Sequence, residues 1–154
     1  MPKKWRMLVY GLPGSGKSTF ALQLANSFHG RVLVVSVEEG FGASFREKLI
    51  NWEIVGKEIF VSDAQSIREI KMDVKEVKPS LLVIDSISAG NDDLIDTNLE
   101  LCQLWVCHST KGGKYKGDSG LGHVVDIVVE VERGKAVVGK NRFGQSGLSK
   151  IIFS

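Results

Sequence analysis

The chain has 154 residues, 43% of them hydrophobic, which is enough for one sizeable core and too few for two ordinary domains. Lys and Arg total 20 against 18 Asp and Glu, and the resulting net charge of +2 argues neither for nor against a nucleic-acid partner. Glycine stands out, with 17 residues against 3 prolines. Abundant Val, Ile, Leu and Phe exclude disorder, so the glycines must serve local geometry.

Arg6–Tyr10 reads as a short apolar strand that runs straight into GLPGSGKST. From Lys17 to His29, Phe20, Leu24 and Phe28 recur every four residues, a helical face that Gly30 is placed to cap. RVLVVSV (31–37) is a continuous apolar run, the mark of a parallel strand covered on both faces. A second helix is expected from Gly42 to Asn51, because Phe45 and Leu49 share a face. IFVS (59–62) is the next strand.

Ser62-Asp63 offers a helix N-cap, followed by Ile67, Ile70, Val74 and Val77 at helical spacing, and Pro79 stops that helix. LLVIDSI (81–87) and LCQLWVCH (101–108) are buried-type strands. The segment at 111–122, KGGKYKGDSGLG, is glycine-rich and carries three lysines and a tyrosine. The remainder is β: HVVDIVVEVE (123–132), KAVVGKNRF (135–143) and LSKIIFS (148–154). Strands alternating with helices and then a β tail describe a mostly parallel α/β sheet with an antiparallel extension, in one domain over residues 1–154.

The segment from Gly11 through Leu12, Pro13, Gly14, Ser15, Gly16 and Lys17 to Ser18 fits G-x-x-x-x-G-K-[ST], between a strand and a helix as that motif requires. Glycines let the backbone curl so that amides point inward at phosphate oxygens, and the following helix adds its positive end. Lys17 is expected on the β- and γ-phosphate oxygens, the Ser18 hydroxyl on Mg²⁺, and Thr19 near the α-phosphate. Asp85 follows four apolar residues, a costly place for a carboxylate unless a cation or hydrogen bond satisfies it, and is the metal candidate. Asp126 is its rival in the β tail. Glu38 and Glu39 follow a buried strand at a carboxyl edge, where such sheets place ligands, and one of the two is expected to orient water. ATP and Mg²⁺ are the expected ligands. No guanine-reading NKxD segment is present.

Cys102 and Cys107, the only cysteines, are five residues apart in one strand and so fall on opposite faces, too splayed to bridge. Two buried, reduced thiols are expected, in a cytoplasmic protein. No apolar run reaches the length of a membrane-spanning helix.

In GLPGSGKST, RVLVVSVEEG, VKPSLLVIDSIS, HSTK (108–111), LGHVVD (121–126) and KNRFG (140–144) the chain resembles the RecA-type P-loop ATPases, and most of all the RadA/Sms branch of DNA recombination and repair factors. The pieces occur in the family's order from about Leu8 onward. The resemblance implies that Glu38 positions the attacking water, that Asp85 is the Walker B aspartate and that His108 senses the γ-phosphate. It implies that Lys140 and Arg142 reach a neighbouring subunit's nucleotide or DNA, hence a homo-oligomer or a partner ATPase. It places Lys111, Lys114, Tyr115 and Lys116 in a loop facing single-stranded DNA. The family's zinc module and protease-like domain have no counterpart in this sequence, the region from Asp85 to His108 is shortened, and Val37 stands where the family has glycine. Two other readings remain: a small P-loop phosphotransferase, disfavoured by only six unclustered arginines, and a binding module whose ATP occupancy orders the 111–122 loop.

Overall fold

In the computed structural model the described residues are 4–12, 16–36, 58–87, 99–108, 125–132, 135–141 and 149–151. Chain order runs β1 (Arg6–Gly11), α1 (Lys17–Ser27), β2 (Val32–Ser36), β3 (Ile59–Ser62), α2 (Ile67–Val77), β4 (Leu81–Ile87), β5 (Cys102–His108), β6 (Ile127–Glu132), β7 (Lys135–Asn141) and β8 (Ser149–Ile151). The helix expected over residues 42–51 and the glycine-rich stretch at 111–122 lie outside the described residues.

One eight-stranded sheet holds these strands in the order β3-β2-β4-β5-β1-β6-β7-β8. Every neighbouring pair from β3 through β6 is parallel, whereas β6–β7 and β7–β8 are antiparallel. The sequence pattern explains the split. Strands β1, β2, β4 and β5 are buried almost continuously, as a sheet covered on both faces demands. Along β6 buried and half-buried residues alternate, the mark of a strand with one wetter face. The shortened connection from β4 to β5 still makes a parallel crossover, since Leu81–Asp85 pair in register with Cys102–Val106.

The two described helices cover opposite faces. Ala21, Leu22 and Ala25 of α1 pack with Met7, Val9, Val34, Val83, Leu104 and Val106. On the other face Ile70 of α2 packs with Leu8, Leu33, Leu82, Ile84 and Trp105. Each fully buried aliphatic side chain contributes about 1.5–3 kcal/mol. The α1 face differs from the expected one: Phe20, Leu24 and Phe28 are only partly buried and flank a seam of small residues. That seam lets the helix lie close to the strands beneath it, and Phe28 instead meets Trp5 edge-on at 6.3 Å.

Helix ends also depart from expectation. Helix α1 ends at Ser27 with Phe28 extended, and Gly30 takes positive φ (129°) two residues later as the chain turns toward β2. A side chain there would be strained and would crowd Ser80. The N-cap of α2 is Ser66, not Ser62 or Asp63. Ser62 is already engaged: its hydroxyl donates to the Asp73 carboxylate and accepts from the Ala64 amide. Pro79 acts as expected, and Lys78 before it adopts the left-handed conformation that closes α2.

Cys102 and Cys107 are both buried and unbridged, on opposite faces of the sheet as their spacing requires. Burial pushes the Cys102 thiol up, against a smaller lowering by a hydrogen bond with the Trp5 backbone.

Candidate functional site

Parallel strands align their carboxyl ends on one edge of the sheet, and that edge carries the candidate site. Strand β1 ends there at Gly11, in register with His108, the last residue of β5. Leu12 follows with about half its surface exposed (51%). Pro13, Gly14 and Ser15 lie outside the described residues. The chain re-enters at Gly16, whose φ of 104° and ψ of 15° place it in the left-handed region and make it the N-cap of α1. This is the conformation for which the motif needs glycine. Among the described residues no side chain caps the helix, and its first turn carries no acidic residue. The first amides and the positive end of the helix dipole are therefore directed at the loop with no carboxylate of their own turn against them.

Lys17 opens α1 and is almost wholly buried (5% exposed). Its ammonium donates to the carbonyl oxygens of Gly11 at 2.7 Å and Leu12 at 3.1 Å, which draws the two ends of the loop together. Thr19, two residues on, is also buried. Ser18 occupies the first turn of the same helix. A buried ammonium beside a helix start whose N-cap is a left-handed glycine is an arrangement suited to an anion.

Asp85 lies two strands from β1, in register with Ser36 of β2 and Val106 of β5. Alternation along β4 puts it on the face of Leu81 and Val83, the face that α1 covers. It is 2% exposed, so its carboxylate is shielded from bulk water. The β4–β5 register slips between Asp85 and Ile87, a bulge at the point where the ladder reaches the edge. Hard oxygen donors such as the Ser18 hydroxyl and the Asp85 carboxylate suit Mg²⁺, which takes few protein ligands and completes its shell with phosphate oxygens and water. Among the described residues no cluster of three or more His, Cys, Asp or Glu forms a metal cage.

The rival Asp126 is removed by position. Its amide donates to the Arg6 carbonyl and its Oδ2 accepts from the Arg6 amide, both at 2.9 Å. It clamps β6 to β1 at the amino edge, the far end of β1 from Gly11. Lys140 pairs with Val128, which pairs with Leu8. It therefore lies about 10 Å down the sheet and about 10 Å across from Gly11. Glu38, Arg142, Lys111, Lys114, Tyr115 and Lys116 lie outside the described residues. The last described residue of β2 is Ser36, in register with Asp85.

Sequence reasoning passed over one pair at this edge. The Tyr10 hydroxyl donates to Oε2 of Glu130 at 3.3 Å, and the two residues are in register on β1 and β6. A glutamate at every second position of VVEVE reads as a solvent face, so nothing local marked it.

A family model described as the AAA domain matches residues 3–125. The chain belongs to the AAA domain family. Among curated proteins it is 29% identical to the DNA repair protein RadA of Aquifex aeolicus, over 92% of this chain and 38% of that one. It is 32% identical to the RadA of Chlamydia trachomatis, over 89% of this chain and 36% of that one. The chain thus spans less than two fifths of the length of these relatives. In fold it matches the RadB recombinase (TM-score 0.64, 19% identity, 94% of this chain and 84% of that one). It also matches the ATPase domain of G40P (TM-score 0.71, 16% identity, 97% and 81%). The mostly parallel sheet with its antiparallel extension is RecA-like, as its motifs imply.

Proposed function

We propose that this chain binds Mg·ATP and hydrolyses it as a RadA-like ATPase in DNA recombination or repair, over a single domain of residues 1–154. The observation that carries this reading is the buried Lys17 ammonium held on the Gly11 and Leu12 carbonyls at an uncapped helix start. From there it can transfer to β- and γ-phosphate oxygens without crossing open solvent. Gly11 to Thr19 form the phosphate cradle. Ser18 and Asp85 would hold Mg²⁺, which when bound neutralises charge on the β- and γ-phosphates. Glu38 would orient the attacking water, and His108, level with Gly11, would face the terminal phosphate.

Lys140 is too far from Gly11 to serve its own chain's phosphates, a position that supports a role in trans, with Arg142, in a homo-oligomer or beside a partner ATPase. Turnover per chain is then expected to rise with protein concentration and to fall at least about tenfold in Arg142→Ala. Equal turnover by a demonstrably monomeric preparation, with Arg142→Ala silent, removes the trans role. Lys111, Lys114, Tyr115 and Lys116 would contact single-stranded DNA through phosphates and stacking. ATP turnover with and without single-stranded DNA, across a salt series and alongside a mass measurement, tests the whole reading. Absence of nucleotide binding overturns the ATPase. Absence of salt-dependent DNA binding with or without ATP removes nucleic acid.

A further inference from the structure

Helix α2 is closed by Ser66 and Lys78 at its ends, yet its flanks break the usual pairing of charges. At about 100° per residue, Ile70, Val74 and Val77 face the sheet, and the charged residues divide into two stripes on the outer side. Arg68, Lys71 and Lys75 form a basic flank, continued by Lys78 at the C-cap. Glu69, Asp73 and Glu76 form an acidic flank on the side of β3, where Asp73 accepts from the Ser62 hydroxyl. All of these except the half-buried Asp73 are exposed. Met72 stands between the flanks and, at 63%, is the most exposed large hydrophobic side chain among the described residues.

A solvated helix gains by setting opposite charges three or four residues apart. Within α2 every such pair of charges is alike: Arg68 with Lys71, Lys71 with Lys75, Glu69 with Asp73, and Asp73 with Glu76. Each like pair is mildly destabilising to the helix alone. Segregated stripes are suited instead to a surface that carries the same stripes the other way round. The chain itself supplies that surface. A two-fold axis parallel to α2 keeps two copies of the helix parallel and exchanges left for right, so the basic flank of each lies over the acidic flank of the other. Arg68 then comes level with Glu69 of the second copy, and Lys75 with its Glu76, each within about 1.5 Å along the axis. The two Met72 side chains meet between the stripes. A two-fold across the helices would set like charge on like.

We propose that the outer face of α2 is a two-fold contact between two copies of this chain, selected by these opposed charge stripes and centred on Met72. Exposed ion pairs contribute little singly, so the dimer is weak and salt-sensitive, and the stripes fix its orientation. The contact lies on the sheet face opposite α1, so it stands or falls independently of the nucleotide reading.

Sedimentation equilibrium of the full chain over a concentration series should show the mass rising toward twice the monomer's. Raising salt from about 0.1 M to about 1 M should weaken the association by about tenfold or more. Lys75→Glu and Glu76→Lys should each weaken it by about tenfold or more, since a reversal acts twice across a two-fold. Neither should cost the fold, because each replaces a like-charge pair within the helix by an opposite one. Mixing the two variants should restore a dimer of wild-type strength with one copy of each. A wild type that is monomeric at every concentration overturns the proposal, as does a dimer that both reversals leave intact or that their mixture does not restore. A monomer whose salt-dependent binding of single-stranded DNA is lost in Lys75→Glu assigns the basic flank to nucleic acid and overturns it as well.

Discussion

Helix α1 starts on a left-handed glycine with no side-chain cap among the described residues, whereas α2 starts on Ser66, whose hydroxyl accepts from the Glu69 amide at 3.2 Å. The Glu69 carboxylate faces back toward the same serine, and Lys75 sits in the last turn, so α2 satisfies its own ends and both poles of its dipole. Both helices have 11 residues, yet α1 has neither an acidic first turn nor a basic last turn. Its stability comes from the seam of Ala21, Leu22 and Ala25 against the sheet. The contrast separates a helix built to stand by local rules from one that depends on the sheet beneath it.

Substitutions sharpen that contrast. The largest effect is expected from Lys17→Ala, which removes a charged donor from the loop. Nucleotide affinity should fall by about 3 kcal/mol, roughly a hundredfold in Kd by titration calorimetry. Next is Gly16→Ala, which forces a side chain into the left-handed region. It should cost about 1–2 kcal/mol of stability, seen as a fall of a few degrees in Tm, and should weaken nucleotide binding because the loop shifts. Ser66→Ala removes the α2 cap and should cost about 1 kcal/mol, with nucleotide Kd within about twofold of wild type. If Ser66→Ala weakened the nucleotide as much as Gly16→Ala does, the two helix starts would not differ in kind. Glu69→Gln, which keeps the capping geometry and removes the charge, should cost only a few tenths of a kcal/mol in a urea melt.

The strand end at Gly11 and the helix start at Lys17 were legible because their physics is local, set within a dozen residues. The place of Asp85 near the end of a buried strand was legible for the same reason, as a charge after an apolar run. What failed were competitions between equals. Ser62 and Ser66 are both good caps, and only the Asp73 carboxylate, brought in by the fold, decides which one opens the helix. Large Phe20 and Leu24 outweighed Ala21 and Ala25 in the periodicity, although the small residues form the contact. The adjacency of β6 to β1 was not legible at all, because 115 residues separate Gly11 from Asp126 and nothing in either segment names the other. With that adjacency came the Asp126 clamp and the Tyr10–Glu130 pair.

Strand β5 lies at the centre of the parallel sheet with one thiol buried in each of its two packing layers. A reagent that reacts only with thiolates can modify Cys102 or Cys107 only when the covering layer opens, and the raised Cys102 thiol makes it slower still at neutral pH. The two modification rates therefore clock the breathing of the α1 layer and the α2 layer separately. Opening of the α1 layer would expose Cys102 and opening of the α2 layer Cys107, so one strand carries a built-in stopwatch for each side of the molecule.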